Sequence, residues 1–193
     1  TLEEMDNEPV YRDFLRKRGL GWATGTIVEP PSGDSIIFSF ERAHDKGPVP
    51  VEIVRQFDRL RPHLARSALL SSRLGFERAK AMADVLQSLG LPGAVLRGAG
   101  RILAANGAFE RLMPALLQER PDRLHLCDAT ADGLFDEALA RVTDARAVAV
   151  VSSIPVAATE EQPPMILHLL PVHGAAHDIF SGATSLLVVT PVD

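Results

Sequence analysis

Apolar positions in the C-terminal half of the chain change from strand-like to helix-like spacing, and this change predicts the central elements. Two short apolar runs, Pro92–Leu96 and Arg101–Ala105, surround a link that contains two glycines, which predicts a β-hairpin. Asn106 follows directly and is expected to cap a helix, because its side chain can accept a hydrogen bond from a first-turn amide. Apolar residues then recur at helical spacing: Phe109, Leu112, Met113 and Leu116.

The remainder of this half predicts one helix and further strands. The run from Leu124 to Cys127 alternates like a short extended segment, and Ala131–Val142 carries apolar residues on one helical face. Three strand candidates follow: Ala147–Val156, Met165–Val172 and Thr184–Thr190. Two strands, helices and three strands predict an α+β fold over residues 91–193, with a five-stranded antiparallel sheet and flanking helices.

Residues 51–89 are helical in pattern, and Pro62 is expected to bend or break this long helix near Arg61. One interpretation is two helices that cover sheets within the chain; the other is a signalling helix that pairs with its copy in a homodimer. We expect the homodimer, although the repeat is not a strict heptad. The predicted interface residues form one apolar stripe: Val54, Phe57, Leu60, Leu64, Leu70 and Leu74.

The N-terminal segment predicts only part of a domain. A short helix is expected within Thr1–Arg18 and is ended by glycines, and a hairpin of Trp22–Val28 and Ser35–Phe40 follows. A two-stranded sheet is marginal in water, so this segment is expected to be the end of a larger domain or a layer on a partner. The predicted organisation is a partial N-terminal segment (1–48), a connecting and dimerisation helix (49–90) and a sensor-like domain (91–193).

Composition excludes several classes of protein. The net charge of −5 gives no general attraction to nucleic acid or to an anionic membrane. No apolar run approaches the length of a membrane span, and no signal-peptide pattern opens the chain. A single cysteine, Cys127, excludes an intrachain disulfide framework, which fits a reducing compartment. We therefore expect a cytoplasmic protein with no membrane partner.

Metal and cofactor chemistry finds little support in the sequence. His168, His173 and His177 lie close along the chain, but sequence spacing alone does not make ligands converge, so they are expected to be loop and surface histidines. His125 or His168 could ligate a haem if it pointed inward. Cys127 lacks the motif of flavin-binding thiols and is expected to be a small buried apolar residue. No metal site and no cofactor are expected.

Catalysis finds no support either. The serines lack a G-x-S-x-G elbow, and the glycine-rich pieces RGLGWATG and RGAGR have no P-loop lysine and no dinucleotide fingerprint. The paired acids Glu160 and Glu161 lie in a polar loop. We expect that the chain is not an enzyme and has no catalytic residues.

The interior of the C-terminal domain is the remaining functional candidate. It can be a filled core or an apolar ligand pocket, and periodicity does not separate the two because both bury the same residues. A filled core is favoured, and a small apolar ligand stays open as a partner. The residues expected to line this interior are Phe109, Leu112, Met113, Leu134, Phe135, Leu167 and Leu169.

The run GRILAANGAFERL resembles the PAS pattern "G-x-I-x-x-x-N-x-A", and nearly the whole chain resembles the regulatory half of bacterial LuxR-type helix-turn-helix transcription regulators. The telling segments are PVYRDFLRKRGLGWATGTIV, LRPHLARSALLSSRLGFERA and LGLPGAVLRGAGRILAANGAFERL. The resemblance implies a GAF-like or PAS-like N-terminal segment, a linking helix and a PAS-like domain that relay ligand or partner binding to a DNA-binding domain.

Two departures from this pattern limit what the resemblance implies. No helix-turn-helix pattern and no basic recognition helix occurs, so DNA is expected as a partner only through a C-terminal domain that this chain lacks. The chain is expected to be a fragment that begins inside its first domain. The alternatives are a purely structural PAS dimerisation module without ligand and a haem- or flavin-bearing redox sensor.

Overall fold

The computed structural model of the chain describes residues 7–30, 35–144, 150–159, 162–172 and 183–192. The chain divides into two compact units, Thr1–Leu70 and Ser71–Asp193. The predicted domain boundaries after residues 48 and 90 stay predictions.

The first unit contains the predicted short helix and hairpin. A π-helical turn, Val10–Leu15, leads into a 3-10 turn, Arg16–Arg18, and ends at Gly19, whose φ of 74° is favourable for glycine. Strands β1 (Leu20–Val28) and β2 (Ile36–Ala43) then pair antiparallel. Both strands are longer than predicted, and a further 3-10 turn, His44–Lys46, follows.

Helix α1 runs from Val51 to Ser88 without interruption, so of the predicted bend or break near Arg61 the break does not occur. A proline removes one amide donor and crowds the carbonyl four residues earlier, here that of Asp58. Residues 58–63 are all exposed, so water can satisfy that carbonyl. The helical turns before and after Pro62 keep the helix continuous through this position.

The second unit is built on a five-stranded antiparallel sheet of order β4-β3-β9-β8-β7, and the α+β architecture with flanking helices is confirmed. Its first two strands form the predicted hairpin. The last three strands overlap the predicted ones, although residues 145–149 lie outside the described part. The strands are β3 (Gly93–Arg97), β4 (Arg101–Ala105), β7 (Ser152–Val156), β8 (Met165–Pro171) and β9 (Ala183–Pro191).

The connection between β4 and β7 differs in part from the expectation. Helix α2 is only Gly107–Glu110, because residues 111–116 turn away from helical geometry before and around Pro114. A small antiparallel ribbon follows, of β5 (Leu117–Glu119) and β6 (Leu124–Leu126). Only its second strand was predicted. Helix α3 is Ala129–Thr143, close to the predicted Ala131–Val142.

The core of this unit lies between one face of the sheet and the segment from α2 to α3. Alternate residues of the strands point into it, as Leu167 and Leu169 of β8 and Leu187 and Val189 of β9 do. They pack against the aromatic rings of the helical segment in a single cluster of buried side chains.

Candidate functional site

The seven residues predicted to line the domain interior separate into three groups. Phe109, Phe135, Leu167 and Leu169 are completely buried in the core cluster, while Leu112 and Met113 pack against it and are partly buried. Leu134 is 41% exposed, so the expectation that it lines the interior was wrong. The buried face of α3 is formed by its neighbours at helical spacing: Ala131, Phe135, Ala138 and Leu139.

The packing of this interior favours the filled core over the ligand pocket. Seventeen buried apolar residues form one continuous cluster, with six more partly buried ones against it. Two concavities formed by described residues, one beside the β1–β2 hairpin and one beside α3, are lined by other residues than these seven. Side chains therefore contact each other where a ligand was considered.

Asn106 joins three segments of the second unit through a side chain that is only 4% exposed. Its Oδ1 accepts hydrogen bonds from the N–H of Phe109 at 2.9 Å and from the N–H of Gly93 at 3.2 Å. Its Nδ2 donates to the carbonyls of Leu91 at 2.9 Å and Ala83 at 3.2 Å. The predicted helix cap is thus confirmed, and the same amide also bonds the last turns of α1.

Two further contacts support this junction. The side chain of Gln87 in α1 accepts a hydrogen bond from the N–H of Ala108 at 3.1 Å. Gly93 lies so close to Leu86 that an added Cβ would collide with the leucine side chain. The C-terminal end of α1 is therefore held against β3 and α2 by hydrogen bonds and by close packing.

Helix α1 carries apolar residues on two sides within the second unit. One side is buried on the domain and comprises Gly75, Ala79, Ala83 and Leu86. The other side faces outward, and we call it the outward stripe; it comprises Leu74, Ala81 and Val85, is continued by Leu89 directly after the helix, and is interrupted by the exposed Arg78. A helix that covers one domain usually has a polar outer side. The outward stripe therefore has no partner among the described residues of this unit.

The six predicted interface residues differ in where they lie. Leu60, Leu70 and Leu74 are at least half exposed, which leaves them free for a partner. Val54, Phe57 and Leu64 line a cleft of about 610 Å³ between α1 and the β1–β2 sheet, where Phe57 stacks on Phe40 with ring centroids 4.3 Å apart. These three therefore face the β1–β2 sheet of the first unit.

A charged cluster that sequence reasoning missed ties the β5–β6 ribbon to α3. Arg123 donates two hydrogen bonds to Asp132, at 2.8 and 2.9 Å, and its Nε lies 3.3 Å from Asp136. The ring nitrogens of His125 lie 3.2 Å from Asp132 and 3.0 Å from Asp122. Sequence patterns did not predict this cluster, because Arg123 and Asp132 are nine positions apart and lie in different parts of the structure.

Electrostatics in this cluster favour the charged forms. Partial burial alone raises the pKa of Asp132, but hydrogen bonds from Arg123, the N–H of Leu126 and His125 outweigh it and lower this pKa to about 2. The hydrogen bond to Asp132 raises the pKa of Arg123, and the hydrogen bond from His125 lowers that of Asp122. The cluster has the chemistry of a structural clamp, since its acidic and basic side chains pair with each other.

Two of the other candidate residues, His168 and His125, lie in separate hydrogen-bond networks. His168 bonds to Ser153 at 2.9 Å and Thr190 at 3.1 Å across the outer side of the sheet, and His125 is held in the charged cluster. His173 and His177 lie outside the described residues, as do Glu160 and Glu161. The described residues contain no group of three or more metal-ligating side chains.

Cys127 departs from its expected environment. Its side chain is exposed, so the prediction of a small buried residue was wrong. It follows β6, whose buried positions are Leu124 and Leu126, and alternation along the strand turns it outward. Its thiol lies 3.3 Å from the carbonyl of Pro114.

Comparisons with known proteins add no family to these observations. No protein-family model matches the chain, and no curated protein matches it. Among the described residues, no helix has the length and apolar character needed to cross a bilayer.

Proposed function

We propose that this chain is the sensory and dimerising region of a cytoplasmic bacterial transcription regulator of the LuxR type. In this proposal residues 91–193 are a PAS-like domain and residues 1–48 are part of a GAF-like or PAS-like segment. A binding event at the domain is relayed through α1 in a homodimer to a helix-turn-helix DNA-binding domain. DNA-binding domains of the helix-turn-helix type read two half-sites as dimers, so pairing of the sensory region controls their affinity.

The observation that carries this proposal is the Asn106 junction. One buried side chain bonds the hairpin, the first turn of α2, the carbonyl of Ala83 in α1 and the carbonyl of Leu91 in the link after α1. A rearrangement of the hairpin or of α2 must therefore break or move bonds to α1. That is the physical requirement for a relay, because a signal is passed only by an element whose contacts differ between two states.

A fusion experiment tests the proposal. The 193-residue chain is placed before a LuxR-type helix-turn-helix domain, and transcription of a reporter with two half-sites is measured in bacteria. We expect the fusion to change reporter output at least about tenfold relative to the isolated DNA-binding domain, since dimers bind both half-sites together. Asn106→Asp in the fusion should alter that output. Equal output from the fusion and the isolated domain would contradict the proposal.

A second function is favoured by the filled interior: a structural PAS dimerisation module that binds no ligand. The continuous packing of Phe109, Phe135 and Leu167 leaves side chains where a ligand would lie. In this case the relay responds to a protein partner or is constitutive. Native mass spectrometry of protein purified from its expression host separates the cases, because a retained ligand adds mass to each chain.

A further inference from the structure

We propose that His125 is a proton-operated latch on the β5–β6 ribbon. With a proton on both ring nitrogens, it binds Asp122 in the turn of the ribbon and Asp132 in α3 at the same time. When one proton is lost, the ring keeps Asp132 and releases Asp122. This inference goes beyond the proposed function and does not depend on it, because it concerns contacts within the second unit alone.

The first argument is the position of the imidazole ring between two carboxylates. Its Nδ1 lies 3.2 Å from Oδ2 of Asp132, and its Nε2 lies 3.0 Å from Oδ2 of Asp122. A neutral imidazole has one N–H donor and one acceptor nitrogen, whereas an imidazolium donates from both nitrogens. An ionised carboxylate can only accept. Both contacts are therefore hydrogen bonds only while the ring of His125 carries two protons.

The second argument is that both carboxylates keep their charge where a histidine titrates. The pKa of Asp132 is about 2, and the hydrogen bond from His125 holds the pKa of Asp122 below its usual value. Histidine is the side chain that ordinarily changes its charge between about pH 5 and 8. In this range the proton that is gained or lost therefore belongs to the ring.

The surroundings of the two carboxylates decide which contact is released. Asp132 also accepts hydrogen bonds from Arg123, at 2.8 and 2.9 Å, and from the N–H of Leu126 at 2.9 Å. Its side chain is only 21% exposed, whereas that of Asp122 is 67% exposed. Water can replace the ring at Asp122, but a nitrogen lone pair turned toward Asp132 would stay in a partly buried, negative environment. The neutral ring therefore keeps its proton on Nδ1.

The other side chains around the ring do not change charge with it. Arg123 lies between Asp132 and Asp136, with its Nε 3.3 Å from Asp136, and the residue paired with His125 on β5 is the neutral Gln118. Guanidinium and carboxyl groups ordinarily keep their charge between about pH 5 and 8. Among these described side chains, the ring of His125 is the group that responds to pH.

His168 provides a matched comparison within the same unit. Its ring nitrogens lie 2.9 Å from the hydroxyl of Ser153 and 3.1 Å from the hydroxyl of Thr190. A hydroxyl can donate or accept, so each contact can persist whichever nitrogen carries the proton. Loss of a proton from His168 therefore releases neither partner, and the residue serves as a control.

Hydrogen exchange of the full chain at about pH 5.5 and about pH 8 tests the latch. Rates are compared as protection factors, which remove the intrinsic dependence of exchange on pH. Protection of residues 119–124 should fall at least about fivefold at the higher pH, since a charge-assisted hydrogen bond to the turn is lost. The amides of β3, which lies outside the charged cluster, should change less. Equal protection of the turn at both pH values would overturn the proposal.

Three variants show whether the ring is the cause. His125→Gln removes the titrating group and should make protection of the turn equal at both pH values. In Asp122→Asn the amide can accept from an N–H or donate to a lone pair, so the contact should persist and protection should stay high throughout. His168→Gln should retain the pH dependence of the parent chain. Circular dichroism confirms that each variant is folded.

Nitrogen-15 NMR of the imidazole ring identifies the proton that leaves. We expect His125 to be protonated on both nitrogens at the lower pH and to lose the proton of Nε2, which faces Asp122, as the pH rises. Loss of the Nδ1 proton instead would overturn the release of Asp122.

The variants give opposite results if the latch does not exist. A pH dependence of the turn that persists in His125→Gln, or that disappears in His168→Gln, overturns the proposal. If His125→Gln does not fold, Asp122→Asn decides alone, because a fall in protection equal to that of the parent chain contradicts the latch. A fall that occurs in the parent chain and in His168→Gln, but is absent from the folded variants of the latch, supports it.

Discussion

Asn106 uses all the hydrogen-bonding capacity of its side-chain amide, two acceptor positions on Oδ1 and two donors on Nδ2. The acceptor half caps α2 and holds Gly93, as an N-cap asparagine is expected to do. The donor half reaches the carbonyls of Ala83 and Leu91. The two halves can be separated by mutation, because an aspartate keeps the acceptors and loses the donors.

We predict that Asn106→Asp lowers the free energy of unfolding by at least about 2 kcal/mol, because two buried hydrogen bonds are lost and a carboxylate faces two carbonyls. Urea titration measures this change. Hydrogen exchange should accelerate around residues 83–91 more than in β8, which does not touch the junction. Gln118→Glu, an exposed change of the same charge, is the control. Equal stability of Asn106→Asp and the parent chain would contradict the assigned role.

Asp132 predicts a defined dependence of stability on pH. Its pKa is about 2 in the folded chain, below the ordinary value of 3.8. Because this pKa is lower in the folded chain than in the unfolded chain, the contribution of Asp132 to the free energy of unfolding is complete above about pH 4. It is lost as the pH falls toward 2. Asp132→Asn should therefore lower the urea midpoint at pH 7 and flatten its fall between pH 4 and 2.5. An equal fall of the urea midpoint for both proteins between pH 4 and 2.5 would contradict this prediction.

Sequence patterns predicted the role of a residue correctly where that role depends on residues nearby in the chain. The Asn106 cap depends on neighbours three positions away, and periodicity along the chain reveals it. The bonds from Asn106 to Ala83 and Leu91 depend on tertiary structure, and no local pattern contains them. Leu134 was misplaced because helical spacing defines an apolar face only to within about one residue.

At the scale of elements, α1 shows that tertiary context can outweigh a local breaking signal. A helix of 38 residues continues through Pro62, although proline disfavours a helix interior by about 3 kcal/mol. Water can reach the carbonyl that loses its partner, and long helical segments flank the site. Sequence rules identify the cost of the proline, but they do not weigh it against the rest of the helix.

We predict that Pro62→Ala stabilises α1 by about 1–3 kcal/mol, because the new amide can donate to the carbonyl of Asp58 and the ring crowding is relieved. Hydrogen exchange of residues 58–66 should slow accordingly. Exchange in α3 is the internal reference, since that helix is distant in sequence and unaltered. Unchanged exchange around Pro62 would show that the helix does not continue through this position in solution.

The five-stranded sheet could be predicted at this scale because its strands follow alternation and turn signals. The β5 strand could not, since three residues beside a turn carry too little pattern. The charged cluster around Arg123 was not predicted for a related reason, because it forms only where the β5–β6 ribbon contacts α3 in the folded structure. Short elements and the contacts between them are where sequence patterns carry least information.

At the scale of the whole molecule, the features that bear on the proposed function are the packing and hydrogen bonds of the second unit. The described residues show a filled core, a junction that fastens α1 and an apolar side of the same helix that no described residue of the second unit covers. Dimerisation through α1 is the claim on which the proposed relay depends most.

Native mass spectrometry of the purified chain tests this claim most directly. We predict a complex of twice 20.8 kDa with no additional mass, because two copies pair while the interior of each stays filled by its own side chains. Leu74→Asp measured in parallel should give the mass of one chain. A single-chain mass for the parent protein at micromolar concentration would contradict the account.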